Sequence, residues 1–177
     1  MFSGSIDCTI LTMKKIKNII LVALILLTSV ANAALIEGRV VGVVDGDTLT
    51  VLDSSNNQHK IRLAGIDAPE KKQPFGNVSK KSLSDLVYGK QVIVDYNKQD
   101  RYGRTVGKVL IDGVDTNLEQ VKRGLAWFYK KYQNEQPLQD RLDYLHAQET
   151  AENLKLVCGL SQLLSHLGIL GNKKSRY

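Results

Sequence analysis

Five short strand-like stretches, a helix placed after the third and two more helices near the end predict an α+β fold, a five-stranded OB-type β-barrel with three helices. Three observations carry this expectation. The first half is rich in β-branched runs broken by turn dipeptides, the connections are short, and the later segments show helical spacing closed by glycine.

Taken in order, residues 35–44 form the first expected strand and end at Asp45-Gly46, a strong turn signal. Residues 48–52 resume as strand, and Asp53-Ser54-Ser55-Asn56-Asn57 turns the chain into a third strand at residues 59–66. A helix is expected over residues 79–86, with Gly89 as its stop. Residues 91–97 read as strand, with Val92 and Val94 on one face and Ile93 and Asp95 on the other, and residues 106–111 read as the fifth strand, closed by Asp112-Gly113. Thr116 and Glu119 form a capping box for a short helix over residues 117–123, ended by Gly124. The last helix is expected over residues 137–152, with Leu138, Leu142 and Leu145 as its apolar stripe.

The segment before this domain has another character. Lys14, Lys15 and Lys17 precede an apolar run over residues 19–27, and Ala31-Asn32-Ala33 follows. A basic start, a short apolar stretch and an Ala-x-Ala end make a secretory signal peptide, with Met13 the expected true start and cleavage after Ala33. The run is shorter than a spanning helix needs, so a permanent membrane anchor is not expected. The product, periplasmic or secreted, would comprise a domain over residues 34–160 and a tail over residues 161–177.

The whole chain carries a formal net charge of +6, which suits a polyanionic partner without proving one. Cys8 lies upstream of the expected cleavage site, so an exported domain keeps only Cys158 and has no internal disulfide. Between Leu156, Val157 and Leu160, Cys158 reads as a small buried hydrophobe. His59, His146 and His166 are scattered, which argues against paired-imidazole chemistry. Nothing in the sequence points to a protein partner, and a monomer is expected.

Three polar clusters fall at strand ends: Asp45-Gly46-Asp47-Thr48, then Arg62 with Asp67-Ala68-Pro69-Glu70, then Asp100-Arg101-Tyr102-Gly103-Arg104. Each alone has an ordinary explanation as a turn, a helix start or a solvated hairpin. Together they supply what metal-assisted phosphodiester hydrolysis requires. Asp47 and Asp67 can share a hard cation such as calcium with a main-chain carbonyl and waters. Glu70 is a spare carboxylate able to take a proton from an attacking water. Arg62 and Arg104 offer guanidinium forks for the charge that builds on phosphate oxygens.

The order and spacing of these clusters resemble the staphylococcal nuclease (thermonuclease) family from about Val40 to Leu160. Val121-Lys122-Arg123-Gly124-Leu125-Ala126 resembles the family's second helix and the turn after it. The resemblance implies an OB-type barrel with three helices and a calcium-dependent enzyme cleaving DNA and RNA with little sequence preference. It implies calcium carboxylates at Asp47 and Asp67, a backbone carbonyl ligand at Ala68, and a general base at Glu70. Arg62 and Arg104 match the arginines on the reacting phosphate. Arg101, Tyr102, Tyr129 and Tyr132 are the implied substrate contacts, whereas Trp127 is expected to pack in the core. Ala68 replaces the Thr of the best-known member, Arg101 replaces its Lys, and the usual terminal Trp is missing near Leu160. The competing reading is a catalytically inactive OB-type module that binds nucleic acid without cutting it. The presence of all five charged residues argues against it.

Overall fold

The computed structural model describes residues 34–156, so the expected signal peptide, Cys158 and the tail lie outside the described residues. Strands β1 (Ala34–Val43), β2 (Thr48–Asp53) and β3 (Gln58–Leu63) form the expected antiparallel meander. β4 (Ile66–Asp67) follows a turn, and helix α1 (Gly76–Val87) leads to β5 (Gln91–Gln99) and β6 (Thr105–Ile111). β7 (Val114–Asp115) runs into α2 (Thr116–Lys122); then come β8 (Trp127–Phe128), a 3-10 helix (Lys130–Glu135) and α3 (Leu138–Asn153). Among the described residues, no helix is long and apolar enough to cross a membrane.

The sheet order β3-β2-β1-β5-β6 is closed by a parallel β3–β6 pairing, which makes the five-stranded mixed barrel. Closure leaves no long edge among these five strands to recruit another chain. Val40, Leu49, Val51, Ile61, Leu63, Val92, Val94 and Val109 fill the interior, and Leu83, Val87, Val121 and Tyr144 bring the helices onto it. Each such side chain contributes about 1.5–3 kcal/mol on burial.

Four expectations need correction. The third strand does not run through residue 66: Gly65 takes a left-handed φ of 72°, and Ile66 and Asp67 pair instead with β8. Helix α1 starts a turn earlier than expected, after Phe75 in a left-handed conformation. Asp115, not Thr116, caps α2, its carboxylate accepting from the Leu118 N–H, while the Thr116 hydroxyl donates to the Val109 carbonyl. The α3 stripe is also different. Leu138 and Leu142 are exposed, Leu145 is half-buried, and Tyr144, Ala147 and Ala151 make the buried face. Two alanines allow close approach, and Tyr144 fills the space while donating its hydroxyl to Asp115 Oδ2 at 2.8 Å and meeting Phe128 edge-on. Lys108 reaches Asp140 at 2.5 Å and further ties α3 to the barrel.

Candidate active site

Pairing geometry gathers the three sequence clusters at one end of the barrel. β3 lies between β2 and β6, with Thr48 opposite Arg62 on one side and Thr105 opposite Ile61 on the other. Asp47 and Arg104 are the residues just outside those pairs, so they arrive on either side of Arg62. Asp67 comes to the same end because β4 pairs with β8, where it lies opposite a half-buried Trp127. The core position expected for Trp127 is therefore only partly realised.

The Arg62 guanidinium is the hub. Nη2 donates to Asp67 Oδ1 at 2.8 Å and lies 3.2 Å from Asp47 Oδ2, while Nη1 donates to the Leu63 and Ile66 carbonyls. Asp47 is buried, and its carboxylate also accepts from the Thr48 hydroxyl at 3.0 Å and the Ala68 N–H at 2.8 Å. Burial pushes its carboxyl up to about 7, with Arg62 pulling down and the neighbouring Asp45 and Asp67 pushing up. Asp67 is likewise raised, chiefly by desolvation, with Arg62 opposing and the charges of Glu70 and Asp45 adding to the rise. Two carboxylates, Asp47 and Asp67, thus face a single guanidinium.

That imbalance and the all-oxygen donor set fit a hard divalent cation. Two carboxylate oxygens already converge on one positive centre, the Arg62 Nη2. Among the described residues, no three His, Cys, Asp or Glu side chains form a ready-made metal cluster. A cation here would rest on Asp47 and Asp67, with backbone carbonyl and solvent completing its shell.

Glu70 stands exposed beside this pocket, in a turn where Gln73 N–H donates to the Glu70 carbonyl and the Glu70 N–H donates to Gln73 Oε1. Gly76 presses on that turn: a Cβ there would come within 2.0 Å of the Glu70 carbonyl oxygen. Arg104 is positioned by Asp100, which accepts from Arg104 Nε at 2.8 Å and from the Tyr102 and Arg104 N–H groups. Arg104 Nη1 lies 3.5 Å from the Thr48 hydroxyl, so both arginines meet the same β2 terminus.

Of the expected substrate contacts, Arg101 and Tyr102 sit in the turn that carries Arg104, while Tyr129 precedes the 3-10 helix and Tyr132 lies within it. Tyr102 is exposed, with the Arg101 and Arg104 guanidiniums 4.9 and 5.6 Å from its ring centre. Tyr129 and Tyr132 meet edge-on at 5.3 Å. Lys98 Nζ lies 4.9 Å from the Tyr132 ring centre and forms an ion pair with Glu135. Lys98 carries no signal in the sequence beyond its place just before Asp100. Thr48 and Asp100 lie within the clusters, but no local pattern shows that they orient Asp47 and Arg104.

A model of the staphylococcal nuclease homologue family matches residues 60–157. An uncharacterized endonuclease of Haemophilus influenzae is 48% identical over 139 residues, covering 77% of this chain and 75% of that protein. An uncharacterized endonuclease of Escherichia coli is 50% identical over 98 residues, 55% of this chain and 63% of the relative. A micrococcal nuclease of Shigella flexneri is 40% identical over 119 residues, 62% of this chain and 68% of the relative. The closed barrel carries its carboxylates and arginines together at one end, which defines an OB-type domain with a charged site on the barrel. The chain belongs to the staphylococcal nuclease family.

Proposed function

We propose that this chain is a calcium-dependent nuclease hydrolysing phosphodiester bonds in DNA and RNA with little sequence preference. Its family and the nuclease names of its relatives support nucleic-acid hydrolysis. One observation carries the finer reading: Asp47 and Asp67 converge on Arg62 beside Arg104, with an exposed Glu70 next to them.

In this reading Asp47, Asp67 and the Ala68 carbonyl hold calcium, and Arg62 and Arg104 take the phosphate oxygens. When bound, the ion supplies positive charge against the phosphate and favours ionisation of a nearby water. Glu70 takes the proton of the attacking water, a task suited to a carboxylate open to solvent. Arg62 exchanges part of its bonding to the two carboxylates for phosphate oxygens, and Arg104 presents its Nη groups while Asp100 holds Nε. Arg101, Tyr102, Tyr129 and Tyr132 carry the flanking nucleotides by charge and stacking. Export after cleavage at Ala33 and action as a monomer complete the proposal. An exported product whose intact mass does not begin at Ala34 would remove the export element.

The test is to incubate residues 34–177 with plasmid DNA and with total RNA, in calcium and then in chelator. Degradation of both that stops with chelator is the expected result. Binding of DNA without cleavage in calcium would return the inactive-module reading, and cleavage unaffected by chelator would remove the metal from the mechanism.

A further inference from the structure

Gln120 is a fully buried amide in the middle of α2. Its Nε2 donates to the carbonyl of Gly46 at 3.0 Å and to that of Ser79 at 3.2 Å, and its Oε1 accepts from the Ser82 hydroxyl at 2.8 Å. The Gly46 backbone also packs directly on the Ser79 side chain. A Cβ on Gly46 would lie 1.8 Å from Ser79 Oγ and 2.8 Å from the Ala68 Cβ. Gly46 joins Asp45 to Asp47, and the Ala68 N–H bonds Asp47, so this contact is the seat of the carboxylate pocket.

The amide has a defined direction. Arg123 Nη1 donates to Ser82 Oγ at 3.2 Å. A guanidinium only donates, so the Ser82 proton turns to Gln120 Oε1. That leaves the Nε2 protons for the Gly46 and Ser79 carbonyls, the only assignment in which every member is satisfied. A second bond holds the other side of the seat, from the Ser79 hydroxyl to the Leu125 carbonyl at 2.6 Å.

We infer that Gln120 is a positioning residue for the calcium pocket, clamping the Asp45-Gly46-Asp47 turn to α1 through a directed chain from Arg123 and Ser82. It touches neither substrate nor ion and acts through the placement of Asp47. This rests on the nuclease reading for its consequence, though the clamp itself does not depend on it.

Gln120→Met keeps the length and removes both polar ends. Outer partners of metal ligands are typically worth 10–100-fold in metal affinity, so calorimetry should show calcium binding about tenfold weaker or more. Turnover at limiting calcium should fall and recover as calcium is raised, with KM for DNA at saturating calcium unchanged. Hydrogen exchange at residues 45–48, measured without calcium, should speed up while β5 and β6 keep their protection. Ser82→Ala and Arg123→Ala should move the same readouts in the same direction by smaller steps, and exposed Arg123 can be changed without threatening the fold. Tyr144→Phe, which loses a bond remote from the turn, controls for general loosening and should leave calcium affinity alone. Wild-type exchange at residues 45–48 in Gln120→Met, or in both milder variants should Gln120→Met not fold, would overturn the inference. A wild-type protein that binds no calcium would remove the calcium dependence from the proposed function instead, and the exchange measurement would still decide the clamp.

Discussion

Arg62 and Arg104 approach the same end of β2, yet they are held in different ways. Arg62 is locked by two carbonyls and two carboxylates in a largely buried pocket. Arg104 is half-buried, anchored through Nε by Asp100 in a five-residue turn, with an exposed tyrosine against its guanidinium. Groups set by barrel strands are rigid and desolvated, so their charges cost more to bury and interact more strongly. Groups set by the β5–β6 turn and the 3-10 helix, such as Tyr102 and Tyr132, stay in water. In the proposed function the molecule separates a buried pocket for the chemistry from a wet rim for binding.

The largest effect should come from breaking the pocket. Arg62→Gln leaves the buried Asp47 without its cation, and removal of one partner of a buried pair costs about 3–5 kcal/mol. Denaturant unfolding in chelator should show that loss, and calcium should restore part of it. A loss no larger than for Arg104→Gln would erase the contrast between the two arginines. Next, Glu70→Gln should lower kcat on the order of 10²–10⁴-fold with calcium affinity nearly intact. Isothermal titration and single-turnover rates together check this, and a near wild-type rate would disqualify Glu70 as the base.

Arg104→Lys keeps the charge and loses the planar fork and its Asp100 contact geometry. Turnover should fall roughly tenfold to hundredfold, with DNA affinity less affected. On the rim, Tyr102→Ala should cost about 1–3 kcal/mol in single-stranded DNA binding, read as a higher KM at unchanged kcat. A fall in kcat with KM fixed would move Tyr102 from rim to pocket. The smallest effect lies outside both halves. A hydrogen bond from His59 and others from Asn57 and Ser55 hold the Asp53 carboxyl down at about 2. A depressed carboxylate stabilises the fold above its ordinary value of 3.8, and that contribution is lost as pH falls towards about 2. Thermal melts of Asp53→Asn should therefore fall less steeply between those two pH values than wild type, with activity at neutral pH unaltered.

What the sequence determined by itself was the chain's local grammar and its chemical inventory. Alternating β-branched runs and Asp-Gly turns specify strands because side-chain alternation and turn geometry are local properties. The proposed set Asp47, Arg62, Asp67, Glu70 and Arg104 stands out in the sequence because phosphate and hard-cation chemistry draws on few residue types, here grouped at strand ends. Tertiary structure alone decided which of them meet: the parallel β3–β6 pairing that brings Arg104 to Thr48 joins segments some forty residues apart, and no local pattern encodes it. It also decided the buried face of α3, where close packing favoured Tyr144 and two alanines over the leucine stripe. Gln120 is the sharpest case. The buried residues of α2 include Thr116, Asn117, Gln120 and Val121, a mostly polar face that periodicity of apolar residues overlooks. Its partners are carbonyls of distant backbone, whose need for a donor arises only once burial has taken them out of water.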